Sequence, residues 1–85
     1  MRLLIVDAGE GLSPRERMAQ IKTSEGPEYL IVDSSCIGKG YIEVGFPVRV
    51  RNGDYLIELP RETVRGSWRV WVPKDQLIGA EAQVA

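Results

Sequence analysis

The clearest alternation of apolar and polar positions runs from Phe46 to Leu59. Phe46, Val48 and Val50 interleave with Arg49 and Arg51; Asn52-Gly53 interrupts; Asp54-Tyr55-Leu56-Ile57-Glu58-Leu59 follows. A repeat of two is that of a strand, whose side chains point to opposite faces in turn. Asn-Gly between two such runs predicts a hairpin with a two-residue turn, because both central residues of a type I′ turn need positive φ. The turn sets a register in which Arg51 faces Asp54, Val50 faces Tyr55, Arg49 faces Leu56 and Val48 faces Ile57. One face then collects Phe46, Val48, Val50, Tyr55, Ile57 and Leu59 and is the expected core face. The other carries Arg49, Arg51, Asp54, Leu56 and Glu58 and is expected to be wet.

The rest of the chain reads as further short extended segments. Residues 2–7 are a brief apolar run bounded by Ala8-Gly9-Glu10-Gly11, which suits a buried strand followed by a turn. Residues 12–24 carry two patterns. Ser13-Pro14-Arg15-Glu16 has the form of a capping box with proline at the first helical position, whereas Ala19, Ile21 and Thr23 alternate with Gln20 and Lys22 as in a strand. Ser24-Glu25-Gly26-Pro27 and the β-branched run to Asp33 favour a hairpin, with strand over 17–23 and at most a short helical segment near 13–23. Residues 34–40 read as a loop of small residues, and Tyr41–Val44 as a short strand. Pro60 ends the strand before it, having no amide hydrogen to donate, and residues 60–67 form a polar loop. Trp68 to Val72 is the next strand, with Trp68, Val70 and Val72 on one face and Arg69 and Trp71 on the other. Pro73 to Leu77 suits one 3₁₀ turn. Residues 1–78 are expected to form one domain, with 79–85 a frayed tail.

Six or seven short strands with regular turns predict a mainly β fold, a small barrel or sandwich. From Gly45 to Leu77, the long hairpin at Asn52-Gly53-Asp54-Tyr55, the polar loop to Gly66, the strand Trp68–Val72 and the run Val72-Pro73 to Leu77 resemble the second half of an SH3-like barrel. The resemblance is one of architecture. The aromatic motif on the first strand and the acidic loop after it, which mark SH3 domains proper, have no counterpart in Leu30-Ile31-Val32-Asp33-Ser34, so the resemblance implies no proline-rich-peptide groove.

Composition narrows the classes of function. The 85 residues are 44% hydrophobic and 27% charged, ordinary for a globular chain. The net charge of −1 speaks against a polybasic nucleic-acid binder. Charge is uneven: residues 1–45 hold seven acids and five bases, whereas residues 46–75 hold six bases and four acids. The single cysteine, Cys36, excludes an intramolecular disulfide. The first apolar run is too short for a signal peptide and no stretch is long enough to span a membrane, so a cytoplasmic protein without membrane contact is expected.

There is no histidine, which removes histidine-based triads and histidine metal sites. Cys36 beside Ile37 and Lys39 is read as a small apolar filler before a reactive thiol. Gly38-Lys39-Gly40 lacks both the upstream glycine and the following Ser/Thr of a phosphate loop. Leu4-Ile5-Val6-Asp7 resembles the first strand of a receiver domain, but 85 residues cannot supply the alternating strands and helices of that fold. Leu59-Pro60-Arg61-Glu62-Thr63 has its threonine one place too late for a sorting signal. Neither Asp7 with Asp33 nor Glu58 with Glu62 stands out as an acid–base pair. No enzyme, catalytic residue, cofactor or metal site is therefore expected.

One constellation remains. Arg49, Arg51, Arg61, Arg65, Arg69 and Lys74 crowd the half of the chain that holds Trp71. If 69–72 pairs with 54–59, Trp71 joins Leu56, Arg49 and Arg69 on the outer surface, with Arg51 beside them. Tryptophan and arginine are favoured at protein interfaces, and aromatic rings flanked by arginines also hold single-stranded nucleic acid. The expected site is therefore Trp71, Arg69, Arg49, Arg51 and Leu56. The expected partner is a protein or a second copy of this chain, with single-stranded nucleic acid as the alternative.

Overall fold

The computed structural model describes residues 1–79; beyond Gly79 the expected frayed tail lies outside the described residues. The chain is mainly β. In order it forms β1 (Arg2–Leu4), β2 (Val6–Glu10), β3 (Glu16–Thr23), β4 (Gly26–Asp33), α1 (Ser34–Lys39), β5 (Tyr41–Glu43), β6 (Arg49–Arg51), β7 (Asp54–Glu58), β8 (Arg69–Pro73), a 3₁₀ turn (Lys74–Gln76) and β9 (Leu77–Ile78). These nine strands of the described residues make three antiparallel sheets, ordered β5-β1-β9, β2-β3-β4 and β6-β7-β8.

The three sheets share one core. Leu3, Ile42 and Leu77 enter it from the first, Ala19, Ile21, Leu30 and Val32 from the second, and Tyr55, Ile57, Val70 and Val72 from the third. Ile5, Val44 and Leu59 fill the corners between them. No closed barrel forms among the described residues, which corrects the SH3-like closure. Single bonds stand where a continuous ladder would be needed: the Ser24 amide, in the β3–β4 turn, donates to the Trp71 carbonyl of β8 (2.7 Å), and the Val64 amide, in the loop before β8, donates to the Tyr29 carbonyl of β4 (2.8 Å). The apolar run 2–7 is likewise two strands. Ile5 turns its side chain inward and donates its amide to Gly40 (3.0 Å), so the chain passes there from the first sheet to the second. Gly9, with φ 129°, does not end the strand; it pairs with Met18 just after a register shift between Asp7 and Gly9 that leaves Ala8 unpaired.

Residues 17–23 are strand, as the alternation of Ala19 and Ile21 required, and both are fully buried. The helical start signal at Ser13 yields one turn, closed by the Glu16 amide on the Ser13 carbonyl (3.0 Å). The β3–β4 hairpin turns at Ser24-Glu25, one step before Gly-Pro, with Thr23 opposite Gly26. The short helix of the fold lies elsewhere, at Ser34–Lys39, where a loop was expected. Its caps explain it: the Asp33 carboxylate accepts the Ser35 amide (2.9 Å), and Gly40 takes the left-handed conformation (φ 83°) that ends it. Cys36 and Ile37 pack from this helix against the core, which is the filler role expected of Cys36.

The third sheet carries the largest departure from the pattern. The Asn52-Gly53 turn has φ of 49° and 85°, and the ladder pairs Arg49 with Leu56, Val50 with Tyr55 and Arg51 with Asp54, in the expected register. The ladder stops there: the Val48 amide donates to Leu56 (2.8 Å), so Val48 does not face Ile57. Tyr55, Ile57 and Leu59 are buried, but Phe46, Val48 and Val50 are 70%, 43% and 63% exposed. The core ends beneath β7, and the apolar side of β6 overhangs it. Trp68 departs as well. It precedes β8 and is half exposed, although Val70 and Val72, with which it alternates, are buried.

No helix of the described residues is long and apolar enough to cross a membrane.

Candidate binding face on the third sheet

Strand pairing decides what the outer face of the third sheet presents. Arg49 lies opposite Leu56 on β7, and Leu56 lies opposite Trp71 on β8, so the three form one row across the sheet. The next row is Arg51, Asp54 and Pro73, and Glu58 pairs with Arg69 on the other side. All five residues expected at a site, Trp71, Arg69, Arg49, Arg51 and Leu56, therefore share one face. Arg49, Arg51 and Arg69 are exposed, and Leu56 and Trp71 are half-buried.

Two contacts organise this face. The Arg51 guanidinium lies 4.1 Å above the Trp71 ring, close enough for cation–π attraction. Arg69 bonds Glu58 through Nε and Nη2, at 3.1 and 3.0 Å. Arg69 thus has its charge matched, whereas Arg49 and Arg51 make no ion pair among the described residues. Asp54 and Glu58 bring two carboxylates to a face with three guanidiniums, so the surface is only weakly basic.

Beside this face a cleft of about 210 Å³ opens between Thr23, Glu28, Arg65, Ser67, Arg69 and Trp71. Arg65 reaches Glu28 Oε2 at 3.5 Å, while Glu28 Oε1 is buried with no partner among the described residues. The loop that forms one wall is fixed by Thr63, the one buried polar side chain of the described residues. Its hydroxyl accepts the Ser67 amide at 3.1 Å.

Three of the four carboxylates considered for acid–base work, Asp7, Asp33 and Glu58, are engaged in local bonds. Asp7 is held below the ordinary carboxylate range by the Arg17 guanidinium, which bonds both its oxygens, and by the Gly9 amide. Asp33 is lowered by the Ser35 amide in its capping role. No group of three or more metal-ligating side chains gathers among the described residues.

Comparison with family models, curated proteins and solved structures finds no match.

A second aromatic surface escaped the sequence. Trp68, Leu12, Ile31 and Val64 surround an open hollow of about 440 Å³, with Leu12 88% and Val64 66% exposed. The available signal was a lone apolar residue in each of two polar loops, Leu12 and Val64. Such residues also serve as loop anchors, so the signal does not discriminate.

Proposed function

We propose that this chain is a non-enzymatic binding module that engages a protein partner through the outer face of its third sheet. The observation that supports this is the row Arg49–Leu56–Trp71 with Arg51 stacked on the ring. Trp71 supplies a broad, rigid apolar contact beside Leu56, and the arginines rim it with donors; tryptophan and arginine are the residues favoured in interface hot spots. The resemblance of this stretch to the closing half of an SH3-like barrel, read from the sequence, suits a binding role only by analogy, since such scaffolds host many functions. A cytoplasmic setting suits an unpaired Cys36.

Single-stranded nucleic acid suits this face less well. A base stacking on Trp71 must displace Arg51, and phosphates meet Asp54 and Glu58 beside the arginines. Two measurements separate the readings. Labelled single-stranded RNA and DNA are titrated by fluorescence anisotropy at about 50 and 200 mM salt; binding that falls steeply with salt establishes the nucleic-acid reading instead. A partner retained from cell lysate by the wild type is purified and titrated against Trp71→Ala. A loss of about 30-fold or more is expected for a hot-spot tryptophan, and an unchanged affinity overturns the assignment of the face.

A further inference from the structure

We infer that the edge strand β6 is a docking site for an extended, acidic partner strand, which it adds to the third sheet. The inference rests on the reading of this chain as a protein-binding module and adds a second contact, on the edge of the same sheet.

β6 is the edge of its sheet, and all three of its residues are exposed. In a two-residue hairpin the residues flanking the turn exchange both hydrogen bonds, and the next pair does not. Arg51 therefore points its amide and carbonyl toward β7, and Val50 points both outward, where no backbone group of the described residues meets them. Such a row templates the addition of a strand. On the core side of the sheet, Val50 is uncovered, and Phe46 and Val48 line an open groove with Val44, Leu59 and Pro60; the two acids at its rim, Glu43 and Glu58, are paired with Arg2 and Arg69. On the outer side stand Arg49 and Arg51, neither of them in an ion pair among the described residues.

Charge selects the occupant. A second copy that aligned its own β6 antiparallel, with valine on the valine side, would set Arg49 or Arg51 opposite an arginine in every such register. Like charges directly opposed across strands are destabilising. A strand with carboxylates at alternate positions and apolar residues between meets both sides at once. Its acids face Arg49 and Arg51, and its apolar residues extend the strip of Phe46, Val48 and Val50.

The probe is a fluorescein-labelled seven-residue peptide alternating glutamate and valine, with a lysine–valine peptide as control. Saturable anisotropy binding of the first and none of the second is expected, with slowed hydrogen exchange at the Val50 amide. Val50→Pro removes the outward donor while leaving the bonds to β7, and should weaken binding at least tenfold. Should that variant misfold, the double variant Arg49→Glu/Arg51→Glu decides, since it should reverse the preference to the lysine–valine peptide. Absence of saturable binding, equal binding of the two peptides, or a concentration-dependent dimer in sedimentation that Val50→Pro abolishes would each overturn the inference. If the peptide fails while a lysate partner still depends on Trp71, the edge is excluded and the outer face stands. If peptide binding needs Trp71 but tolerates Val50→Pro, the acidic strand binds the face and not the edge.

Discussion

Val50 and Ile57 occupy the same side of the third sheet by alternation, yet they should respond to truncation very differently. Ile57 is fully buried beside Val70, and Val50 is 63% exposed. Ile57→Ala removes three carbons; at about 0.8 kcal/mol per buried CH₂ that is about 2.4 kcal/mol before any cavity is counted. Residual void in a core that relaxes incompletely brings the expected loss to about 3–4 kcal/mol. Val50→Ala removes two carbons that are mostly wet already, so the same coefficient gives about 0.6 kcal/mol. Loss of a β-branched residue from an edge strand adds a few tenths at most. Urea unfolding followed by tryptophan emission measures both. With a slope of roughly 1 kcal/mol per molar for a chain this small, Ile57→Ala should lower the midpoint by about 3 M and Val50→Ala by less than about 1 M. Equal shifts would refute the overhang: they would mean that β6 is covered as Tyr55 is, and the exposed apolar edge would not exist.

Three further outcomes follow from the geometry. Asp7 should titrate below the usual carboxylate midpoint in a carboxyl-carbon NMR titration, and Arg17→Gln should bring it back up. Because its folded pKa is the lowered one, the stability it contributes is full above about pH 4 and is lost as pH falls through the folded midpoint. Gly53→Ala should cost about 1 kcal/mol in the same urea assay, since residue 53 sits at φ 85°, while Gly45→Ala, which meets open space, should be nearly silent. Gly11→Ala should cost about 1–3 kcal/mol, because a methyl there would lie 2.7 Å from the backbone carbon of Glu16; a midpoint unchanged from wild type would show that this turn can open without cost.

The third sheet shows what sequence pattern resolves and where it stops. Asn52-Gly53 set the hairpin register because only a few residue types accept the turn's backbone, and that local constraint carried Arg49, Leu56 and Trp71 into one row. Alternation also found the buried residues of β7 and β8. It could not tell that β6 overhangs, because Val48 and Val50 alternate just as Tyr55 and Ile57 do; burial depends on which sheet lies beneath, a long-range fact. The helix at Ser34–Lys39 was missed for the opposite reason. Small residues hid a short segment whose stability comes from its two caps, Asp33 and Gly40, and from Cys36 and Ile37 on the core. Trp68 was assigned inward by period two, which fails where the strand has not yet begun.

The first sheet sets the order in which this protein can be completed. β2, β3 and β4 are joined by hairpins and can pair as they appear, whereas β1 waits for β5 and then for β9, with Leu3 opposite Leu77 about 70 residues later. At about 5–20 residues per second of synthesis, the opening strand spends several seconds as an apolar segment with an unmatched backbone. Distant pairing of this kind also slows refolding. A nascent chain should thus hold its second sheet early and its first sheet last, and the interval between them is when it most needs a chaperone's cover.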